Sequence, residues 1–121
     1  TLCDTSLTAR RIIMLEFIYV LKPSRLEMLT DGATPQESEI VSRHFQYLQG
    51  LTEKKTAVLV GRTQTIESDT FGIVIFRAES EDEARGYMEN DPAVVGGVMT
   101  AQLYPFRIAL SALDTSPSDS I

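Results

Sequence analysis

Apolar residues recur at helical spacing across residues 34–55, and this is the clearest pattern in the chain. The apolar residues of this segment are Ile40, Val41, Leu48 and Leu51, with Phe45 beside them. Thr34 is followed three residues later by Glu37, which is a capping-box pattern, and Pro35 suits a first helical turn. The spacing therefore predicts an amphipathic helix with one face toward a core.

His44, the only histidine of the chain, lies on that apolar stripe, four residues from Ile40 and four from Leu48. A histidine on an apolar face is most often a core residue whose ring is hydrogen-bonded. A carboxylate beside the ring would instead fix its tautomer and leave the other nitrogen as a base. The helix alone leaves both interpretations open.

Four further segments predict strands, and one more predicts a helix. The strands are residues 15–21, 56–60, 71–77 and 98–110, the last one interrupted by Pro105. Ser80 and Glu83 form a second capping box, which opens a short acidic helix that ends near Asn90, before Pro92. The order is strand, helix, strand, strand, helix, strand. This order predicts an α+β, ferredoxin-like βαββαβ fold: a four-stranded antiparallel sheet with two helices on one face.

The segments outside these elements are polar or rich in glycine. We expect a long loop over residues 22–33 and a turn over 94–97. Residues 1–11 resemble a flexible extension and residues 112–121 a disordered tail, which leaves one domain over 12–111.

Two of the strands, residues 15–21 and 71–77, are apolar on both faces. They form the central pair of the predicted sheet, and two helices can cover only one of its faces. The uncovered face would be a large apolar patch for a monomer to expose. We therefore expect a homodimer in which a second copy covers this face.

Composition narrows the functional classes. The chain has 121 residues and a formal net charge of −6, which argues against a nucleic-acid partner. Cys3 is the only cysteine, and a single histidine with scattered carboxylates gives no metal-ligand spacing. No cofactor motif is present, no apolar run is long enough for a membrane span, and a cytoplasmic location is the expectation.

Several segments together resemble the YciI-like (YCII-related domain) family of the dimeric α+β barrel superfamily. They are FIYVLKP, RHFQYLQGL with His44, the stop at Gly61, FGIVIF, ESEDEAR and ENDPAVVGGV with Asp91-Pro92. The resemblance covers about residues 15–110. Many members have proline where this chain has Arg62.

The resemblance implies a ferredoxin-like fold that dimerises into an α+β barrel, with a catalytic His–Asp pair in a cleft. By position these residues are His44 and Asp91. One relative is similar to a dehydrochlorinase acting on a chlorinated hydroxyquinol, and the superfamily includes muconolactone isomerase.

Two functional hypotheses follow. In the first, His44, oriented by Asp91, is the general acid/base of a cofactor-free lyase or isomerase acting on a small cyclic or phenolic substrate. In the second, the protein is a non-catalytic dimeric module that binds a small ligand or a partner in the same cleft. Asp91 by itself is also explained as an Asx-type residue at a helix end before proline. The candidate substrate-binding residues are Arg25, Tyr19 and Arg62.

Overall fold

The computed structural model describes residues 14–112. The strands in this range are β1 (Leu15–Pro23), β2 (Ala57–Arg62), β3 (Gly72–Ala78) and β4 (Met99–Phe106). The helices in the same range are α1 (Glu27–Thr30), α2 (Pro35–Glu53), α3 (Glu81–Glu89) and α4 (Pro92–Val95). The expected N-terminal extension, residues 1–11, and residues 113–121 of the expected tail lie outside the described residues.

The four strands form one antiparallel sheet in the order β2-β3-β1-β4. β1 and β3 are the central strands, as the apolar residues on both of their faces predict. The α+β, ferredoxin-like arrangement is thereby confirmed.

The core lies between α2, α3 and one face of the sheet. Phe17 of β1 is opposite Phe76 of β3, and Tyr19 is opposite Val74. All four side chains are buried, and the Tyr19 and Phe76 rings meet edge to face with centroids 5.6 Å apart. The alternation of β1 therefore determines which of its residues reach the helices.

Helix α2 begins as its sequence predicts. Thr34 is the N-cap, its hydroxyl accepts from the Glu37 amide, and the Glu37 carboxylate accepts from the Thr34 amide. Leu48 and Leu51 are buried against the sheet, whereas Phe45 is 65% exposed. The apolar stripe thus has a core-facing part and, at Phe45, a solvent-facing part.

Three local expectations differ from the structure. Residues 27–30 of the expected loop form α1, because Met28 is buried there against Ala93 and Val98. The expected turn over 94–97 begins inside α4, and the last strand is shorter than predicted, ending at Phe106. At α1 and α4 the burial of Met28 and Ala93 in one cluster, rather than local propensity, determines the outcome.

The opposite face of the sheet carries no helix within residues 14–112. It presents an apolar surface made of Ile18, Val20, Leu59, Ile73, Tyr104 and Phe106, around the buried Ile75. Leu59 and Phe106 are each 39% exposed and Tyr104 is 47% exposed. We call this surface the open face.

Over the described range, the chain lacks a helix with the length and apolar character needed to cross a lipid bilayer.

Candidate active site

Asp91 is a fully buried carboxylate at the start of α4. Its backbone is extended, Pro92 occupies the first helical position, and its Oδ1 accepts from the Ala93 amide at 2.9 Å. An aspartate before a proline at a helix start is a favoured N-cap arrangement. The Asp91-Pro92 sequence therefore favours this direction of the Asp91 carboxylate.

Close packing of α4 on α2 brings Asp91 to the middle of the longer helix. A Cβ built at Gly96 would lie 2.9 Å from Ile40 Cδ1 and 3.1 Å from the Pro92 carbonyl oxygen. A side chain at this position would require Ile40 to shift. Gly96 is thus part of what places Asp91 beside α2.

The two residues paired by the family resemblance are in direct contact. His44 Nδ1 lies 2.6 Å from Asp91 Oδ1, and the Tyr19 hydroxyl donates to Asp91 Oδ2 at 2.8 Å. None of the Asp91 side chain is exposed, and 12% of the His44 side chain is. A chain of hydrogen bonds therefore runs from β1 through Asp91 to α2.

This network assigns the histidine tautomer. The Asp91 carboxylate already accepts from the Tyr19 hydroxyl and the Ala93 amide, so it acts as an acceptor throughout. Nδ1 of His44 must then carry the proton and donate it to Oδ1. Nε2 has no hydrogen-bond partner among residues 14–112. It is not among the fully buried polar atoms, so water or a ligand can reach it. In the neutral ring, Nε2 therefore carries a lone pair that no other group uses.

Two tyrosines near the pair keep their protons. Burial, together with the charge of Asp91 and the hydrogen bond to it, raises the pKa of Tyr19 well above its ordinary value. Burial and the Asp91 charge raise the pKa of Tyr47 to about 12. Tyr47 donates instead to the Tyr87 carbonyl oxygen, at 2.7 Å. Tyr19 is thus a permanent donor to Asp91.

His44 lines a cavity of about 830 Å³ between α2, the α1 segment and the sheet. The volume lies within the range of small-molecule sites, about 300–1,000 Å³. The apolar lining includes Leu21, Met28, Val41, Phe45, Leu48, Val60, Phe71, Val74 and Met99. Ser38, Ser42, Arg62 and Thr70 add polar groups. The site can therefore hold a mostly apolar molecule against an imidazole.

The three candidate substrate-binding residues occupy different places. Arg62 lines the cavity. Arg25 does not; both of its contacting nitrogens bond the Glu37 carboxylate, at 2.7 and 2.9 Å. Tyr19 is buried beneath the site, and its hydroxyl is committed to Asp91. Tyr19 thus supports the carboxylate rather than bordering the cavity.

Sequence reasoning did not identify Thr70 and Phe71 as part of the cavity. They lie just before β3, where a composition rich in threonine and serine indicated only a connection. The apolar pattern predicts Phe71 as the first residue of the third strand, whereas β3 begins at Gly72. A signal was available in Gly72, since a glycine in a strand often marks a close approach or an opening.

The described residues contain no group of three or more His, Cys, Asp or Glu side chains that could hold a metal ion.

The fold is similar to that of 5-chloro-2-hydroxyhydroquinone dehydrochlorinase from Burkholderia phenoliruptrix AC1100, solved in complex with 2,5-dihydroxybenzoquinone. The two proteins share 21% sequence identity with a TM-score of 0.54, and the match covers 75% of this chain and 93% of that one. At this identity the likeness shows the fold alone. None of the curated proteins matches this chain in sequence.

The sequence model of the YCII-related domain matches residues 19–107, a range that contains Tyr19, His44 and Asp91. The chain therefore belongs to the YCII-related domain family.

Proposed function

We propose that this protein is a cofactor-free enzyme in which His44 moves a proton on a small cyclic or phenolic substrate. The observation that carries the proposal is the chain Tyr19–Asp91–His44, which ends on a free Nε2 at an apolar cavity. A general base needs a defined tautomer, a fixed orientation and access to the substrate. All three requirements are consistent with this geometry.

In this reaction Nε2 takes a proton from a C–H or O–H group of the substrate and becomes an imidazolium. The Nδ1 proton stays hydrogen-bonded to Asp91, whose charge stabilises the cation. The imidazolium then returns its proton at another position, which is an isomerisation, or keeps it while an anionic group leaves, which is an elimination. Neither reaction requires an oxidant or a reductant.

The substrate class is supported by the cavity and by the structural neighbour. The neighbour acts on a chlorinated hydroxyhydroquinone and was solved with a quinone. The cavity here is walled largely by aliphatic and aromatic side chains, including Phe45 and Phe71. Such walls favour a flat ring over a strongly hydrated molecule.

The experiment is a turnover screen of small phenols, quinols and lactones, followed by the variant His44→Asn. We expect His44→Asn to lower kcat by a factor of about 100 or more, the contribution typical of general acid–base catalysis, while the protein stays folded. Gln46→Asn is the matched control, since Gln46 lies on the exposed face of α2. It should leave kcat within about twofold of the parent.

A non-catalytic binding module would give a different result. Ligands would then bind without turnover, and His44→Asn would lower the melting temperature without altering any reaction. That outcome would overturn the proposal.

We also propose that the protein works as a homodimer joined through the open face. Support comes from the exposed apolar residues of that face, among them Leu59, Tyr104 and Phe106. A patch of this kind on one side of a sheet is typical of an interaction surface.

A further inference from the structure

Arg62 is the one arginine or lysine among the described residues that line the cavity, and no aspartate or glutamate belongs to that lining. Its guanidinium makes no hydrogen bond or ion pair with any residue in the range 14–112. The arginine side chain has five N–H donors. These donors are therefore available to a molecule in the cavity.

The backbone that carries Arg62 is held firmly. The Thr63 amide donates to the Phe71 carbonyl oxygen at 2.9 Å, and the Phe71 amide donates to the Thr63 hydroxyl at 3.1 Å. The Thr63 and Thr70 hydroxyls are also bonded, at 2.9 Å. The end of β2 is thus tied to the start of β3, and the Arg62 side chain extends from a fixed point.

Gly72 leaves space directly beside Arg62. The two residues are opposite each other in the sheet, and a Cβ built at Gly72 would lie 3.6 Å from the Arg62 Cβ. Any larger side chain there would occupy the cavity next to the guanidinium. The absence of one keeps that position open to a ligand.

Arg62 and the catalytic pair lie on different sides of the cavity. β3 separates β2 from β1, so the Cα atoms of Arg62 and Leu21 are about 10 Å apart across the sheet. Tyr19, which bonds Asp91, lies two residues further along β1, or about 7 Å. A single ring with one substituent can bridge such a separation, with its ring near His44 and its substituent at Arg62.

We propose that Arg62 binds a carboxylate of the substrate, so that the site selects a small ring carboxylate. The inference rests on the proposed function for the placement of the ring against His44. Guanidinium and carboxylate match as a planar two-pronged pair, and Arg62 is exposed, so its guanidinium is accessible to a ligand carboxylate. A phosphate monoester would bring a second charge for which the described lining offers no further arginine or lysine. Since the chain has a net charge of −6, its overall field disfavours anions, and a local cation is needed to admit one.

The test uses two probes of the same ring, hydroxyl group and nearly the same size, the anionic 4-hydroxybenzoate and the neutral 4-hydroxybenzamide, with binding measured by calorimetry. We expect the parent protein to bind the benzoate about threefold to fivefold tighter, because an ion pair with an exposed arginine has an effect of that size. Arg62→Gln should remove this preference and leave the affinity for the benzamide within about twofold. Arg62→Lys should keep part of it.

Arg85→Gln is the matched control, since Arg85 is an exposed arginine of α3 paired with Glu81, away from the cavity. It should keep the full preference. Equal binding of both probes by the parent, no binding of the benzoate, or an unchanged preference in Arg62→Gln would each overturn the inference.

The two proposals fail in distinguishable ways. If the proposed function is wrong, ligands bind without turnover, or His44→Asn leaves turnover unaffected, while the charge preference of the parent protein persists. If the inference is wrong, the preference is absent or independent of Arg62 while His44→Asn still abolishes turnover.

Discussion

At the scale of single residues, Asp91 organises the site. It is wholly buried and accepts from the Ala93 amide, the Tyr19 hydroxyl and the His44 ring. A buried carboxylate is costly unless hydrogen bonds replace its water. The Tyr19 hydroxyl is the one of these three donors that can be deleted by a single-atom change.

We therefore expect Tyr19→Phe to lower the free energy of unfolding by about 1–3 kcal/mol, because Asp91 Oδ2 would lose its donor in a buried site. It should also lower kcat with little change in KM, since Tyr19 is not part of the cavity lining. Urea unfolding and steady-state kinetics measure the two effects.

Tyr47→Phe is the matched control, because the Tyr47 hydroxyl is near Asp91 but donates its hydrogen bond to the Tyr87 carbonyl oxygen. It should affect stability without a specific effect on kcat. Equal losses of kcat in both tyrosine variants would contradict a positioning role for Tyr19.

At the scale of elements, the start of α2 combines two sources of stability. Thr34 caps the helix, and Glu37 bonds both the Thr34 amide and Arg25. These contacts, led by the hydrogen bond from Arg25, lower the pKa of Glu37 to about 2. The helix that carries His44 is thereby tied to the segment just after β1.

Glu37 gives this helix start a predictable pH dependence. Because its pKa is lowered in the folded state, its stabilising effect is present above the ordinary value of 4.5 and is lost as pH falls toward about 2. The difference in unfolding free energy between the parent and Glu37→Gln should thus be largest near neutral pH. It should shrink as the pH falls below about 4.5. Urea unfolding at a series of pH values measures it.

Glu39→Gln is the control for this experiment. Glu39 pairs with Arg43 on the exposed side of the same helix, and such pairs contribute little. If the two variants show the same pH dependence, the role assigned to Glu37 is wrong.

At the scale of the whole molecule, the open face is the main feature that a single chain leaves unexplained. Ile18 of β1 lies opposite Ile75 and Tyr104 on this face, and Ile73 is on the same side. The described part of the chain offers no helix to cover these residues. A second copy of the protein is the occupant that we propose.

We expect the parent protein to be a dimer at micromolar concentration, with a total interface above about 1,000 Å². Ile18→Asp would place an unpaired charge in that interface and should yield monomer or aggregate. Light scattering coupled to gel filtration measures the mass. Gln46→Asp, on the exposed face of α2, should stay dimeric. A stable parent monomer would contradict the proposal.

Much of the fold could be predicted from local sequence. The capping box at Thr34, the N-cap at Ser80 and the two-faced apolar strands are read within a few residues of chain; at Ser80 the predicted box is incomplete, because the Glu83 carboxylate accepts from the Glu79 amide. They led to the element order and hence to the sheet topology. Local signals failed at α1 and α4, because these short helices depend on the burial of Met28 and Ala93 in one cluster.

From the sequence alone, His44 could be placed on the inner stripe of α2, Asp91 directly before Pro92, and Tyr19 on the same face of β1 as Phe17 and Leu21. Only the tertiary structure decided that these three side chains form one hydrogen-bonded chain, that Arg25 pairs with Glu37, and that Arg62 faces the cavity unpaired. The physical reason is distance along the chain. Tyr19 and Asp91 are 72 residues apart, so their contact depends on strand register and helix packing, which no local pattern encodes.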